Sequence, residues 1–167
     1  PADTTAPEGG EGIAALPAPD GEPIVVGMVN TVGVPGLDFP EIATATEATV
    51  EYLNEHGGLG GRPIELEICE GGGTPETSQA CAQELAGKGV EMIYLGLGLF
   101  AGFDTFTAAS IPVVGVLPIL PTDYSASALY LTGGNTTTVA AMAKFAVEEF
   151  AASTAGIISA DNAGANG

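Results

Sequence analysis

The chain has 167 residues, enough for one domain of ordinary size, and carries 21 Asp and Glu against only three bases, Arg62, Lys88 and Lys144, for a formal charge of -18. So negative a surface repels phosphate backbones and anionic lipid, which argues against nucleic-acid and membrane-surface roles. A hydrophobic share of 46% is too high for a disordered acidic chain, and no apolar run reaches bilayer length, so a soluble, core-rich globule is expected.

Residues 1–23, rich in Pro, Gly, Ala and acid, have no sustained period and read as a flexible spacer. Pro1 is no initiator residue, so the chain reads as processed, with its signal peptide removed, or trimmed, and a spacer of this kind suits a tethered extracytoplasmic lipoprotein, although a disordered tail would look the same. From Pro23 onward strands and helices alternate. The wholly apolar run Ile24–Val29 predicts a strand buried on both faces of a parallel sheet. A Gly/Pro loop follows, and then a helix from Phe39 to Glu55 with Asp38 as N-cap and Pro40 in the first turn. Gly57-Gly58 stops it, with His56 in the terminal turn as a capping residue rather than a proton acceptor.

Residues 64–69 alternate as a second strand, and Thr74-Pro75-Glu76 opens a second helix running to about Lys88. Residues 90–96 and 112–117 predict the third and fourth strands, with a short helix over 102–110 between them. A brief strand at 129–131, a helix capped by Asn135 and running to about Ala152, and a last strand over 155–159 complete the pattern. Repeated strand–helix units predict an α/β fold with a parallel, doubly wound sheet. The end at residue 167, just past a strand, reads as an incomplete domain.

Cys69 ends one strand and Cys81 lies about two turns into the next helix, a placement within bridging range when the helix packs back on its strand. Two buried free thiols are the alternative; the lack of other cysteines and the spacer favour a disulfide. A metal site is not expected, because the only histidine, His56, sits in a different turn. The glycines of Gly96-Leu97-Gly98-Leu99-Phe100-Ala101-Gly102 raise a nucleotide enzyme as one reading, with Asp123 as a ribose-binding acid. The spacing is GxGxxxG on the third strand with no base nearby in sequence, so tight strand–helix packing is preferred. No catalytic constellation, and hence no catalytic residue or cofactor, is read. Open α/β sheets bind ligands beyond the carboxyl ends of their strands. Those loops are 30–38, 96–102, 117–123 and 161 onward, mostly apolar or glycine with Asn30, Thr31, Asp123, Asp161 and Asn162 as polar groups.

The order of motifs is similar to that of type I periplasmic binding proteins of the branched-chain amino-acid class. Glu51-Tyr52-Leu53-Asn54-Glu55-His56-Gly57-Gly58-Leu59-Gly60-Gly61-Arg62 resembles the family's Tyr-x-Asn…Gly-Gly-x-x-Gly-Arg segment. Residues 74–90, Ser110-Ile111-Pro112-Val113-Val114, Leu129 to Asn135 and Ile158 to Asn162 resemble its second helix and next strand, its "GIPVI" strand, its crossing into the second lobe and that lobe's "DN" loop. A strand-to-helix disulfide like Cys69–Cys81 also occurs in the family.

The resemblance implies a two-lobed extracytoplasmic receptor of an ABC importer that closes on a small solute and hands it to a membrane permease, without bond chemistry. Residues 24–131 would then be the first part of lobe one and 132–167 the crossover and start of lobe two, with a hinge near 131–135. The ligand-facing positions implied are Thr31, Phe39, Leu97, Phe100, Pro118, Ile119, Asp161 and Asn162. The family's amino-acid site does not carry over. The third-strand loop has no hydroxyl, the fourth reads Leu117-Pro118-Ile119-Leu120-Pro121, and Gly164 stands where a tyrosine is frequent. A rather apolar ligand fits these loops, and the alternative is an extracellular structural subunit that has lost solute binding and self-assembles.

Overall fold

The computed structural model describes residues 17–36, 38–156 and 158. The elements run β1 (Ile24–Thr31), α1 (Pro40–Glu55), β2 (Ile64–Gly71), α2 (Pro75–Gly87), β3 (Met92–Leu95), α3 (Phe103–Ala108), β4 (Val113–Gly115), a 3-10 turn (Asp123–Ser125), β5 (Leu129–Tyr130) and α4 (Gly134–Phe150). All five strands are parallel, in the order β2-β1-β3-β4-β5. β1 is an interior strand with a neighbour on each side, which fits its apolar run Ile24–Val29.

Alternation along the strands separates two layers. Val29, Ile93, Leu95 and Val113 meet Cys81, Ala82 and Leu85 of α2 and Phe106 of α3 in the main core. On the other face, Val26, Met92 and Tyr94 look toward α1. Helices therefore lie on both faces, as a doubly wound sheet requires. Cys69 on β2 and Cys81 on α2 form a disulfide with Cα atoms 5.5 Å apart, pinning α2 to its own strand.

The segment that carries the family resemblance is structural. The Asn54 carboxamide brackets the start of β2, donating to the Ile64 carbonyl (2.9 Å) and accepting the Ile64 amide (2.8 Å). Arg62 donates to the carbonyls of Glu22 (2.7 Å) and Pro23 (2.9 Å) and pairs with Glu91 at 2.8 Å. The last residues of the expected spacer are thus held against the body of the fold, and the Gly21 amide also donates to the Gly61 carbonyl. Residues 1–16 lie outside the described residues.

Several expectations need correction. Asp38 does not cap α1; Phe39 occupies the cap position without a side-chain bond, while the Asp38 carboxylate accepts the Gly33 amide at 2.9 Å and closes the preceding loop. Asn135 lies inside α4, which starts from Gly133, because Gly134 takes the left-handed conformation (φ 68°) that turns the chain into the helix. β3 and β4 are shorter than the apolar runs that announced them, since only 92–95 and 113–115 find ladder partners. Ala155, Gly156 and Ile158 are not in a strand, and the rest of the expected 155–159 strand lies outside the described residues. The Thr74 cap of α2 and the His56 cap of α1 stand as read: Thr74 Oγ1 accepts the Thr77 amide, and the His56 amide donates to the Leu53 carbonyl. The His56 ring also stacks on Tyr52 with centroids 4.0 Å apart.

Two apolar surfaces are open. A trough of about 710 Å³ runs beside α1, walled by Ile42, Val50 and Leu53 and floored by Met92 and Tyr94. α4 exposes Val139, Met142 and Phe150 along one side, with Phe145 and Val147 flanking, each between 59% and 73% exposed. Helical periodicity puts the first three on one stripe, opposite the Lys144–Glu148 pair.

Candidate ligand-binding edge

The loops leaving β1, β3 and β4 meet at the carboxyl edge of the sheet, and buried polar side chains decide their shape. Asn30, fully buried at the end of β1, accepts the Leu97 amide through Oδ1 (3.3 Å) and donates to the Phe39 carbonyl through Nδ2 (3.0 Å). Thr31, 2% exposed, accepts the Leu99 amide at 3.2 Å. Ser78, on the buried stripe of α2, donates to the Leu99 carbonyl at 2.6 Å. Three buried side chains therefore carry the third loop. Each would cost free energy to bury if it lacked these partners.

The glycines of that loop serve close packing. A Cβ on Gly98 would lie 3.0 Å from Val29, and one on Gly102 (φ 65°) would lie 2.6 Å from the Ala82 methyl. The helix that follows, α3, has only six residues. Asp123 is likewise committed: its carboxylate accepts the amides of Ile119 and Leu120, both at 2.8 Å, and fixes the loop after β4. It is buried there, which withdraws it from the ribose-binding role considered above.

The expected contact residues divide accordingly. Thr31 and Pro118 are buried, and the Thr31 hydroxyl is spent on the loop backbone. Phe39, Leu97, Phe100 and Ile119 are half-buried. They share the edge without lining one hollow. Leu97 closes the end of the α1 trough, whereas Phe100 lines a separate hollow of about 350 Å³ with Gln79, Phe103 and Asp104. Asp161 and Asn162 lie outside the described residues. The sequence marks Asn30 only as one polar group of its loop and does not mark Ser78. The available signal for Ser78 was its spacing with Cys81, Ala82 and Leu85, which puts a hydroxyl on an apolar stripe.

At the far end of the sheet, Tyr130 lies over Gly115, and its hydroxyl has no hydrogen-bond partner among the described residues. Burial, reinforced by the nearby Asp123 carboxylate, pushes its phenol well above the ordinary value. Lys88 is raised by its hydrogen bonds to Glu67 and then Glu84 on the protein surface. Among the described residues no three His, Cys, Asp or Glu side chains converge on a point that would hold a metal, and no helix is long and apolar enough to cross a membrane.

The family model described as "Periplasmic binding protein" matches residues 23–167. The chain belongs to that family. Among solved structures, an ABC transporter substrate-binding protein from Desulfitobacterium hafniense superposes with a TM-score of 0.67 at 20% identity, over 87% of this chain and 44% of that one. A solute-binding protein of an ABC transporter from Rhodopseudomonas palustris, in complex with 3,4-dihydroxybenzoic acid, gives 0.65 at 16% identity, over 86% and 41%. The branched-chain amino-acid transporter substrate-binding protein of Streptococcus pneumoniae, in complex with isoleucine, gives 0.64 at 14% identity, over 78% and 39%. At these identities the likeness is one of fold. The chain spans less than half the length of each of the three structures. None of the curated proteins matches it.

Proposed function

We propose that this chain is part of an extracytoplasmic solute-binding receptor of an ABC importer, taking a small, rather apolar ligand at the carboxyl edge of its sheet and delivering it to a membrane permease. The observation that carries this reading is the division of labour in the loops. Asn30, Thr31 and Ser78 are buried and hold loop backbone, and one Asp123 carboxylate oxygen does the same, so the edge presents chiefly Phe39, Leu97, Phe100 and Ile119, with Gln79 and Asp104 beside Phe100. Such a lining suits binding of apolar surface rather than bond chemistry. The complexes named above, with isoleucine and with a dihydroxybenzoate, are with small carboxylates that carry an apolar body.

In this reading residues 24–131 form the first part of lobe one, and 132–167 the crossover into lobe two, with Asp161 and Asn162 adding polar contacts from there. Lobe closure about residues 131–135 buries the ligand. The segment ahead of Gly21 serves as tether, since Gly21, Glu22 and Pro23 are held against the fold. The test is a thermal-shift series on the longest natural form of the protein, with leucine, isoleucine, 4-hydroxybenzoate, 3,4-dihydroxybenzoate and a nucleotide control. A ligand at a hundred times its Kd adds about 2.7 kcal/mol, a shift of several degrees. A flat series from a folded protein refutes the receptor reading. It also moves the assignment to a structural subunit that has lost solute binding, a reading the apolar stripe of α4 favours as a self-assembly surface.

A further inference from the structure

We propose that Asn30 is a positioning residue that couples the first and third ligand-facing loops, fixing where Leu97 stands relative to Phe39. A carboxamide near the end of a largely apolar interior strand is costly to bury, and it is kept where backbone groups satisfy it. Here the two groups it satisfies belong to two different loops: its oxygen holds the Leu97 amide, 67 residues away, and its nitrogen holds the Phe39 carbonyl, nine residues away. The main chain carries the third loop only as far as Gly96, whose amide donates to the Val29 carbonyl at 3.1 Å, and among the described residues no backbone bond joins that loop to the first. The third loop is closed down onto the carboxamide. A Cβ on Gly96 would lie 2.9 Å from Asn30 Oδ1, so glycine is what allows the approach. Thr31 and Ser78 hold only the third loop, through Leu99; Asn30 alone among these three bridges to the first. Its consequence for ligand selection rests on the receptor reading above, since Asn30 itself touches no ligand.

The deciding experiment is residue-resolved amide exchange by NMR on the full chain, comparing wild type with Asn30→Ala and Asn30→Asp, alongside affinity for isoleucine and 3,4-dihydroxybenzoate. Asn30→Ala removes both arms, and exchange at Leu97 should quicken about tenfold relative to the core amide of Ile93, the size expected for one buried hydrogen bond. Asn30→Asp keeps the acceptor for Leu97 and removes the donor to Phe39. Its signature is preserved protection at Leu97 with chemical-shift changes concentrated at residues 38–42. Whichever probe binds wild type should bind both variants more weakly. Leu97 exchange that is unchanged in Asn30→Ala, or that rises only in step with Ile93, overturns the proposal, as does failure of both variants to fold. A wild-type protein that binds neither probe counts against the receptor reading, and the exchange result still decides the coupling.

Discussion

Reduction of Cys69–Cys81 is the perturbation whose size follows most directly from the fold. The bridge closes a loop of sequence separation 12, and the chain-entropy relation gives about 3 kcal/mol for a loop of that size. The native side should change little on reduction. α2 keeps its capping box at Thr74 and Thr77, and Ala82 and Leu85 remain fully buried against the sheet. The loss therefore falls mainly on the unfolded chain, which gains freedom. For a domain of this length each kcal/mol moves Tm by about 2–4 °C, so reduction should lower it by about 6–12 °C. Circular-dichroism melts with and without a phosphine reductant measure the shift, and mass spectrometry after alkylation in denaturant counts the thiols released. Cys69→Ala/Cys81→Ala should reproduce the shift with a small added packing loss at Cys81, which is 3% exposed. Equal melting temperatures in a sample carrying two alkylated thiols would refute the reasoning.

Arg62→Lys should lose about 1–2 kcal/mol in urea unfolding, because lysine cannot fork across two carbonyls and a carboxylate at once. Most of that loss should persist in high salt, since the Glu91 pair is well exposed and screened while the carbonyl bonds are not; a difference abolished by salt would contradict this division. Gly58→Ala should cost more than Gly61→Ala. Both positions have positive φ, but a Cβ at Gly58 runs into the Arg62 carbonyl and one at Gly61 meets nothing within 4 Å. Equal midpoints for the two variants would remove the steric part of that account. Tyr130→Phe should leave stability unchanged or raised, because a buried hydroxyl without a partner among the described residues is deleted. The raised Tyr130 phenol fixes the pH sign: its contribution is fully present below the unfolded value of about 10 and is lost as pH climbs toward the higher folded value. An ultraviolet titration should show a late tyrosine ionisation that Tyr130→Phe removes.

The fold was largely legible because β1 and α2 announce themselves locally. Six apolar residues without alternation mark a strand covered on both faces, and Thr-Pro-Glu ahead of an amphipathic run marks a helix start. The misplacements at Asp38 and Asn135 share a cause. Each has a good capping side chain, but capping depends on where the backbone turns. Gly134 in the left-handed region moves the start of α4 ahead of Asn135, and the demand of Gly33 draws the Asp38 carboxylate back into its loop. The Asn54–Arg62 segment, the part most similar to the family pattern, proved to be scaffold. It ties β1, β2 and the approach of β3 together at the end of the sheet away from the ligand loops.

The candidate site was legible as a location and not as a set of contacts, and the reason is physical. Parallel topology alone puts the loops after β1, β3 and β4 at one edge. Which polar groups face a ligand depends on burial, and burial depends on partners far away in sequence. Thr31 alternates onto the α2 face of β1 and meets Leu99, while its neighbour Asn30 points to the α1 face and meets Leu97; adjacent residues thereby grip one loop from two sides of the sheet. Burial, at 2% exposure, keeps the Thr31 hydroxyl from solute, and a loop held at Leu97 and at both polar groups of Leu99 has little freedom to rearrange. Selectivity on this half of the site then lies in the shape that Leu97 and Phe100 present from a preset backbone. A ligand gains affinity from such an edge by fitting it, since the ordering cost has already been met in folding.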